Sequence, residues 1–368
     1  IWYLQPLGID VDYAGEQDIR AFYAMVDLPL SPNWTLTAGA RRETTLLNVA
    51  PSRLDGFVEV IGVTALGSRF IELVPQEDAV ANIDETSILP SVSAAWEIRP
   101  GMKLRGSWSR TIARPTFREL APVATEEFIF GDEFIGNPDL IMSDITNLDL
   151  RWEWFGGEGA MAAVSLFDKD LENPIEYLSF FASNRSFIQP VNYESGRVDG
   201  FELEGRLPLG LLAGWLDGLT LTSNYTSIDS EVDVPEAEYV KLRDDFALGQ
   251  ETRRLQGQPE FVLNAGLTYD NEDLGLSTGV FLNQVGEMLA TGAAIGEDGT
   301  PNVFTEERAT LDFTFRWKYR EHLSLGLKVK NITEEDRGSV YRRPNGEEAV
   351  KTSRPGARAI GLSLGWKW

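Results

Sequence analysis

A chain of 368 residues with no cysteine and a single histidine lacks the parts for disulfides, thiolate catalysis, cysteine-bound metals or a paired imidazole site. Its net charge of −24, from 33 basic and 57 acidic residues, argues against a nucleic-acid partner and disfavours acidic substrates, because phosphates are met by basic surfaces. Mean hydropathy is −0.19 and no run approaches the ~18 apolar residues that a membrane helix requires, yet a β-barrel evades that test because only alternate strand residues meet lipid.

From the N-terminus, Ile1-Trp2-Tyr3 has no charged region, apolar run or cleavage site of a leader; either a leader was removed or the chain begins partway through a longer one. Beyond it, apolar residues at every second position predict about 13 strands in a single domain. Asp18 to Leu28 and Trp34 to Thr45 are joined at Pro29-Leu30-Ser31-Pro32-Asn33, whose prolines cannot donate to a ladder. Ser87 to Ile98 and Met102 to Ile112 meet at Arg99-Pro100-Gly101, and Ile145 to Phe155 and Ala160 to Asp170 at Gly156-Gly157-Glu158-Gly159. Val198 to Leu207 and Leu219 to Ile228 are separated by a longer segment with Pro208 and Gly210. Pro259 to Tyr269 and Leu274 to Val285 meet at Asp270-Asn271-Glu272-Asp273, and Arg308 to Tyr319 and Leu323 to Asn331 at Arg320-Glu321-His322. Ala357 to Trp368 stands last.

Between these pairs lie long connections, near 46–86, 113–144, 171–197, 229–258, 286–307 and 332–356. Strict alternation of short and long connections is hard to place in a compact soluble domain, but it is the rule in transmembrane antiparallel β-barrels. The short turns, and the C-terminus with them, are then expected on the periplasmic side.

The two faces differ in the required way. Leu148, Leu150, Trp152 and Trp154 alternate with Asp149, Arg151 and Glu153. Phe313, Phe315, Trp317 and Tyr319 alternate with Asp312, Thr314, Arg316 and Lys318, and Ile360, Leu362, Leu364 and Trp366 with Gly361, Ser363, Gly365 and Lys367. Glu202, Glu204, Arg206, Lys328 and Lys330 add further charges to the polar face. A dry core would charge several kcal/mol for each such group left unpaired, whereas a wet or plugged lumen tolerates them. Trp34, Trp96, Trp154, Trp317, Tyr319, Trp366 and Trp368 gather beside the short turns, as an interfacial girdle does. A large soluble sandwich or propeller is the bland alternative.

Ser109-Arg110-Thr111-Ile112-Ala113-Arg114-Pro115-Thr116-Phe117-Arg118-Glu119-Leu120, followed by Gly136-Asn137-Pro138-Asp139-Leu140, resembles the TonB-dependent outer-membrane receptors, in which an Ala-Arg-Pro-Ser/Thr-Phe step leads to Gly-Asn-Pro-x-Leu. Val329-Lys330-Asn331-Ile332-Thr333 is similar to the family's Lys-Asn-Leu-Thr loop, and Arg354-Pro355-Gly356-Ala357-Arg358 to its Pro-Gly-Arg step, with Ala357 interrupting the latter. Terminal Trp368 resembles the aromatic signal read by the barrel assembly machinery. The resemblance implies a 22-stranded barrel with a plugged lumen, of which this chain is the C-terminal portion. It further implies a plug domain and about nine strands supplied by a second chain or an upstream part of the same one, and energy from a TonB–ExbB–ExbD system reaching a TonB box.

No Gly-x-Ser-x-Gly and no phosphate-cradling loop occurs, so an enzyme is not expected, nor a cofactor. His322 reads as a solvated turn residue. Asp10-Val11-Asp12 and Asp229-Ser230-Glu231-Val232-Asp233 are either Ca²⁺ ligands or solvated acids. Candidate ligand-binding aromatics are Phe128, Phe130, Tyr177, Phe180, Phe181 and Phe187, with packing of loop on loop as the alternative. Arg114 and Arg118 are expected to tie their loop to the wall. Two functions stay open: active uptake of a scarce nutrient such as a siderophore, cobalamin, oligosaccharide or peptide, or a passive porin or envelope scaffold.

Overall fold

The computed structural model of the protein describes residues 12–52, 56–63, 69–126, 132–182, 185–293, 299–319 and 322–366. Thirteen antiparallel strands pair in chain order: β1 (Asp12–Ser31), β2 (Trp34–Ser52), β3 (Ala81–Arg99), β4 (Met102–Ala113), β5 (Ser143–Phe155), β6 (Met161–Glu172), β7 (Ser195–Pro208), β8 (Leu219–Asp233), β9 (Phe261–Asn271), β10 (Leu276–Val285), β11 (Arg308–Tyr319), β12 (Leu323–Lys330) and β13 (Ala359–Trp366). Every strand expected from the alternation is present and has the expected neighbours. Among the described residues no ladder joins β1 to β13, so the sheet ends in two edges. The terminal residues Lys367 and Trp368 lie outside the described residues.

Register assigns the faces. Trp366, Leu364, Leu362 and Ile360 of β13 stand opposite Leu323, Leu325, Leu327 and Val329 of β12. The same row logic runs through Phe313 to Trp317, Val280, Leu267, Leu221, Leu203, Leu166 and Leu150 to Trp96 and Trp34. None of these side chains is buried, and on the edge strand β13 Leu362 is 81% and Leu364 74% exposed, which a water-facing sheet would not sustain over thirteen strands. Four alternate positions cover ~20 Å of strand, near the ~25 Å apolar band of outer-membrane barrels. At the short-turn end Trp34 stacks on Trp96 with centroids 5.3 Å apart, and Trp317 lies 5.2 Å from Tyr319.

Past this band the pattern inverts. The cross-strand row Asp168, Asp199 and Asp229 ends the apolar outward face. Beyond it Asp170, Arg197 and Glu231 take the outward positions, and Leu171, Val198 and Val232 turn inward to pack with Leu178, Tyr193, Val234 and Leu255. Likewise Asn48, Asn82 and Asp84 face out, while Leu47, Val49, Ala81 and Ile83 form a core with Leu120, Ala121, Val123, Leu140 and Met142. This inversion explains why β1 starts at Asp12 rather than Asp18 and β2 runs to Ser52 rather than Thr45: the ladder continues after the lipid-facing stripe has stopped.

The long connections carry structure that alternation did not predict. Ile175–Ala182, Arg185–Asn192, Glu133–Phe134 and Thr125–Glu126 form one four-stranded sheet, and Met288–Thr291, Asn302–Thr305, Arg337–Arg342 and Glu348–Arg354 another. A bridge between Leu178 and Gly292 links the two. The hairpin of Phe57–Val63 and Arg69–Pro75 sets Ile61 and Ile71 against Ile135 and Phe187. Two helices, α1 (Phe117–Leu120) and α2 (Glu236–Phe246), complete this layer.

Candidate functional site

Opposite the apolar face lies a polar one. Register places Asp149, Arg151 and Glu153 of β5, Glu202, Glu204 and Arg206 of β7, Asp312, Arg316 and Lys318 of β11, and Lys328 and Lys330 of β12 on this one side. Its sectors differ. Over β4 to β7 charges pair: Arg105 lies 3.4 Å from Glu153, Arg151 meets Glu153 at 2.9 Å, and its fork donates to Glu204 at 2.8 and 3.2 Å and to Ser165 Oγ at 2.8 Å. The Arg151 side chain keeps 30% exposure, so water screens these pairs. Over β8 to β10 the groups are neutral, with Asn283 Nδ2 donating to Asn264 Oδ1 at 2.7 Å and Asn264 Nδ2 to Asn224 Oδ1 at 2.8 Å. A hollow of about 380 Å³ opens there, lined by these three amides and Phe281. On β11 and β12 Asp312 accepts the Asn331 N–H at 2.9 Å, and among the described residues Arg316, Lys318, Lys328 and Lys330 join no ion pair.

The loop motifs close this face at the other end. Arg114 pairs with Glu43 and donates to Thr45 Oγ1 at 3.0 Å, both on β2. Thr116 caps α1 reciprocally, its N–H reaching Glu119 at 2.6 Å while its hydroxyl accepts the Glu119 N–H at 3.3 Å. Gly136 must be glycine, since a Cβ would stand 2.1 Å from the Ala121 carbonyl. Asn137 then donates to the Pro190 carbonyl at 3.1 Å, and its own N–H reaches the Glu119 carbonyl at 2.6 Å. The second motif pair also interlocks: Asn331 Nδ2 donates to the Ala357 carbonyl at 3.4 Å and Arg358 to the Ile332 carbonyl at 3.0 Å. Arg118 lies over the Phe134 ring at 4.4 Å, a contact within the loop layer.

Of the candidate aromatics, Phe187 is corrected. It is fully buried against Ile135, Ile61 and Ile71, so its ring serves packing between loops and is closed to a ligand. Tyr177 is half-buried, donating its hydroxyl to Glu119 at 2.6 Å with Phe134 edge-on at 5.9 Å. Burial, then Glu119, pushes its phenol above the ordinary range, which keeps it a neutral donor. Phe128 and Phe130 lie outside the described residues, as do the side chains of Phe180 and Phe181. Asp229, Glu231 and Asp233 lie at alternate positions on one face of β8, and among the described residues no cluster of carboxylates is arranged to hold a metal ion.

Sequence reasoning missed a buried clasp. Arg253 Nη1 donates to Glu176 at 2.7 Å with both side chains at most 5% exposed, the Arg253 guanidinium lies 5.0 Å over the Tyr193 ring, and the Tyr193 hydroxyl donates to Glu238 of α2 at 2.8 Å. Gln256 closes the group, its N–H 3.3 Å from Glu176 and its side chain bonded to the Tyr177 backbone. Burial raises the Glu176 carboxyl and the Tyr193 phenol, and although burial works to lower Arg253, Tyr193 and Glu176 outweigh it and the guanidinium stays charged. Partners 77 residues apart leave no local signal.

The family described as "TonB dependent receptor-like, beta-barrel" matches residues 3–332. The chain belongs to this family. It is a family of non-enzymatic outer-membrane receptor barrels. Among solved structures, this receptor barrel is similar to the ferric enterobactin receptor PfeA from Pseudomonas aeruginosa at 16% identity, covering 96% of this chain and 54% of that one, TM-score 0.55. It is also similar to the ferric yersiniabactin uptake receptor FyuA from Yersinia pestis (13%, 96% and 46%, 0.59) and the siderophore receptor PiuA from Acinetobacter baumannii (13%, 97% and 44%, 0.63). At such identities the likeness is one of fold. The receptor barrel spans about half the length of these solved chains. No curated protein sequence matches it.

Proposed function

We propose that this receptor barrel is the C-terminal wall of an active importer in the bacterial outer membrane, taking up a scarce nutrient such as a siderophore, cobalamin, oligosaccharide or peptide. The observation that carries the reading is the continuous pairing of thirteen strands, with exposed aliphatic and aromatic rows on one face and charge on the other. A plug domain and further strands, from a second chain or from an upstream part of the same one, fill and close the lumen. Asp149, Arg151, Glu153, Glu202, Glu204, Arg206, Asp312, Arg316, Lys318, Lys328 and Lys330 face that plug, where charge-assisted hydrogen bonds offset their desolvation. The loop layer lies outside the cell, Phe128, Phe130, Tyr177, Phe180 and Phe181 of its loops take part in binding the ligand, and the short turns lie in the periplasm. Trp368 is the assembly signal, and a TonB–ExbB–ExbD system supplies the energy.

Uptake of a labelled nutrient panel by cells with and without the complete receptor tests this. Accumulation that stops when the proton gradient is collapsed or TonB is deleted is the expected result. Permeation that persists under both conditions would make the barrel a passive pore and overturn active import.

A further inference from the structure

We propose that the inward face of β11 to β13 is a docking track for an extended, acidic polypeptide segment lodged in the lumen, an inference that rests on the filled-lumen reading above. In a chain of net charge −24, the described residues of this face set five cations, Arg308, Arg316, Lys318, Lys328 and Lys330, against one carboxylate, Asp312, which is already engaged by the Asn331 N–H at 2.9 Å. Two sectors away, Arg105 and Arg151 are met by Glu153 and Glu204 from the wall itself. Cations that find no partner among the described wall residues are strongly disfavoured under a plug unless the plug brings the opposite charge.

The shape of the track selects a chain over a small anion. From the level of Lys318 to Lys330 it runs ~20 Å along the strands, so a single anion reaches one or two of its charges. Its floor is Gly326, Gly361, Ser363 and Gly365, which leaves the wall backbone open to close approach. At the short-turn end the floor widens into a hollow of about 460 Å³ lined by Arg316, Lys318, His322, Ser324, Ser363 and Gly365. An extended segment with acids at alternate positions would direct one side-chain row onto these cations.

The test uses the complete receptor in isolated outer membranes, with a benzophenone amino acid at position 363 and mass spectrometry of the photoproduct. The expected partner is an Asp/Glu-rich segment of the receptor. Its yield should fall about tenfold in Arg316→Glu/Lys328→Glu and in ~1 M salt, where the Debye length is ~3 Å. Should the reversed variant fail to fold, Arg316→Gln/Lys328→Gln is expected to lower the yield about threefold. A partner segment without acids, no protein partner at all, or a yield indifferent to charge overturns the track. The same probe at outward Leu362 separates the two readings: lipid adducts there, with no acidic partner at 363, sink the track alone, whereas protein adducts at 362 and lipid at 363 sink the filled lumen.

Discussion

Two arginine–glutamate pairs show how differently the wall and the loop layer are built. Arg151 and Glu204 sit on the polar face of β5 and β7, 30% and 31% exposed, and Ser165 and Glu153 share the same guanidinium. Arg253 and Glu176 sit between two long connections, 5% and 2% exposed, wrapped by Tyr193, Gln256 and α2. The contacts are alike in distance, 2.8 and 2.7 Å, but not in what surrounds them. In the wall, backbone ladders hold the strands and the charges are free to meet something else. In the loop layer, whose strands are only two to eight residues long, buried side chains hold the fold.

The largest effect should follow from breaking the buried pair. Arg253→Ala leaves Glu176 buried without its partner, which costs about 3–5 kcal/mol. Limited proteolysis of the receptor in membranes should then cut within 173–194 and 234–260, while heat-modifiable mobility of the barrel is retained. Equal resistance to protease in both proteins would show that the clasp holds nothing.

Next comes the sidedness of the wall. Leu267→Arg places a charge at mid-height on the apolar face, between Leu221 and Val280, and should cost about 2–4 kcal/mol, whereas the neighbouring Thr268→Arg faces the polar side and should stay within about 1 kcal/mol. The folded fraction in outer membranes should drop for the first and hold for the second. If both fall alike, the two faces are not lipid and lumen.

A smaller change is expected at the exposed pair. Arg151→Ala removes bonds that water already screens, so its cost should be about 1 kcal/mol or less, read as a small shift of the urea midpoint. A loss as large as that of Arg253→Ala would show that the lumen side is dry at this point.

The wall was legible because its signal is local: period two fixes the face, and short turns fix the neighbour, so thirteen strands and their polar row follow from Leu148 to Glu153 and their like. The motifs were legible as well, and the Gly136 contact and the Asn331–Ala357 bond give their physical reason. What was not legible depends on distant pairing. Strand ends above the lipid band invert their pattern because loops, not lipid, cover the inner face, and Leu47 to Val49 gives no hint of Leu120 or Met142. Phe187 read as a ligand aromatic for the same reason, since the residues that bury it come from connections far away in sequence.

The smallest expected effect is a pH dependence confined to the clasp. Burial raises the Glu176 carboxyl above its ordinary value of 4.5, with Arg253 opposing and Glu238 adding to the rise, and Tyr193 stays neutral beside them. Between the ordinary and the raised value the folded state holds more protons than the unfolded one, so stability falls as pH rises through that window. The contribution is therefore fully present below about pH 4.5 and lost above the raised value. Glu176→Gln removes the titrating group but keeps an acceptor for Arg253, so the protease resistance of 234–260 should become flatter with pH in this variant than in the parent. In Arg151→Ala, which leaves the clasp intact, the parent slope should persist. An unchanged slope in Glu176→Gln would assign the titration to another group and leave Glu176 as a fixed charge whose partner, Arg253, holds it ionised throughout.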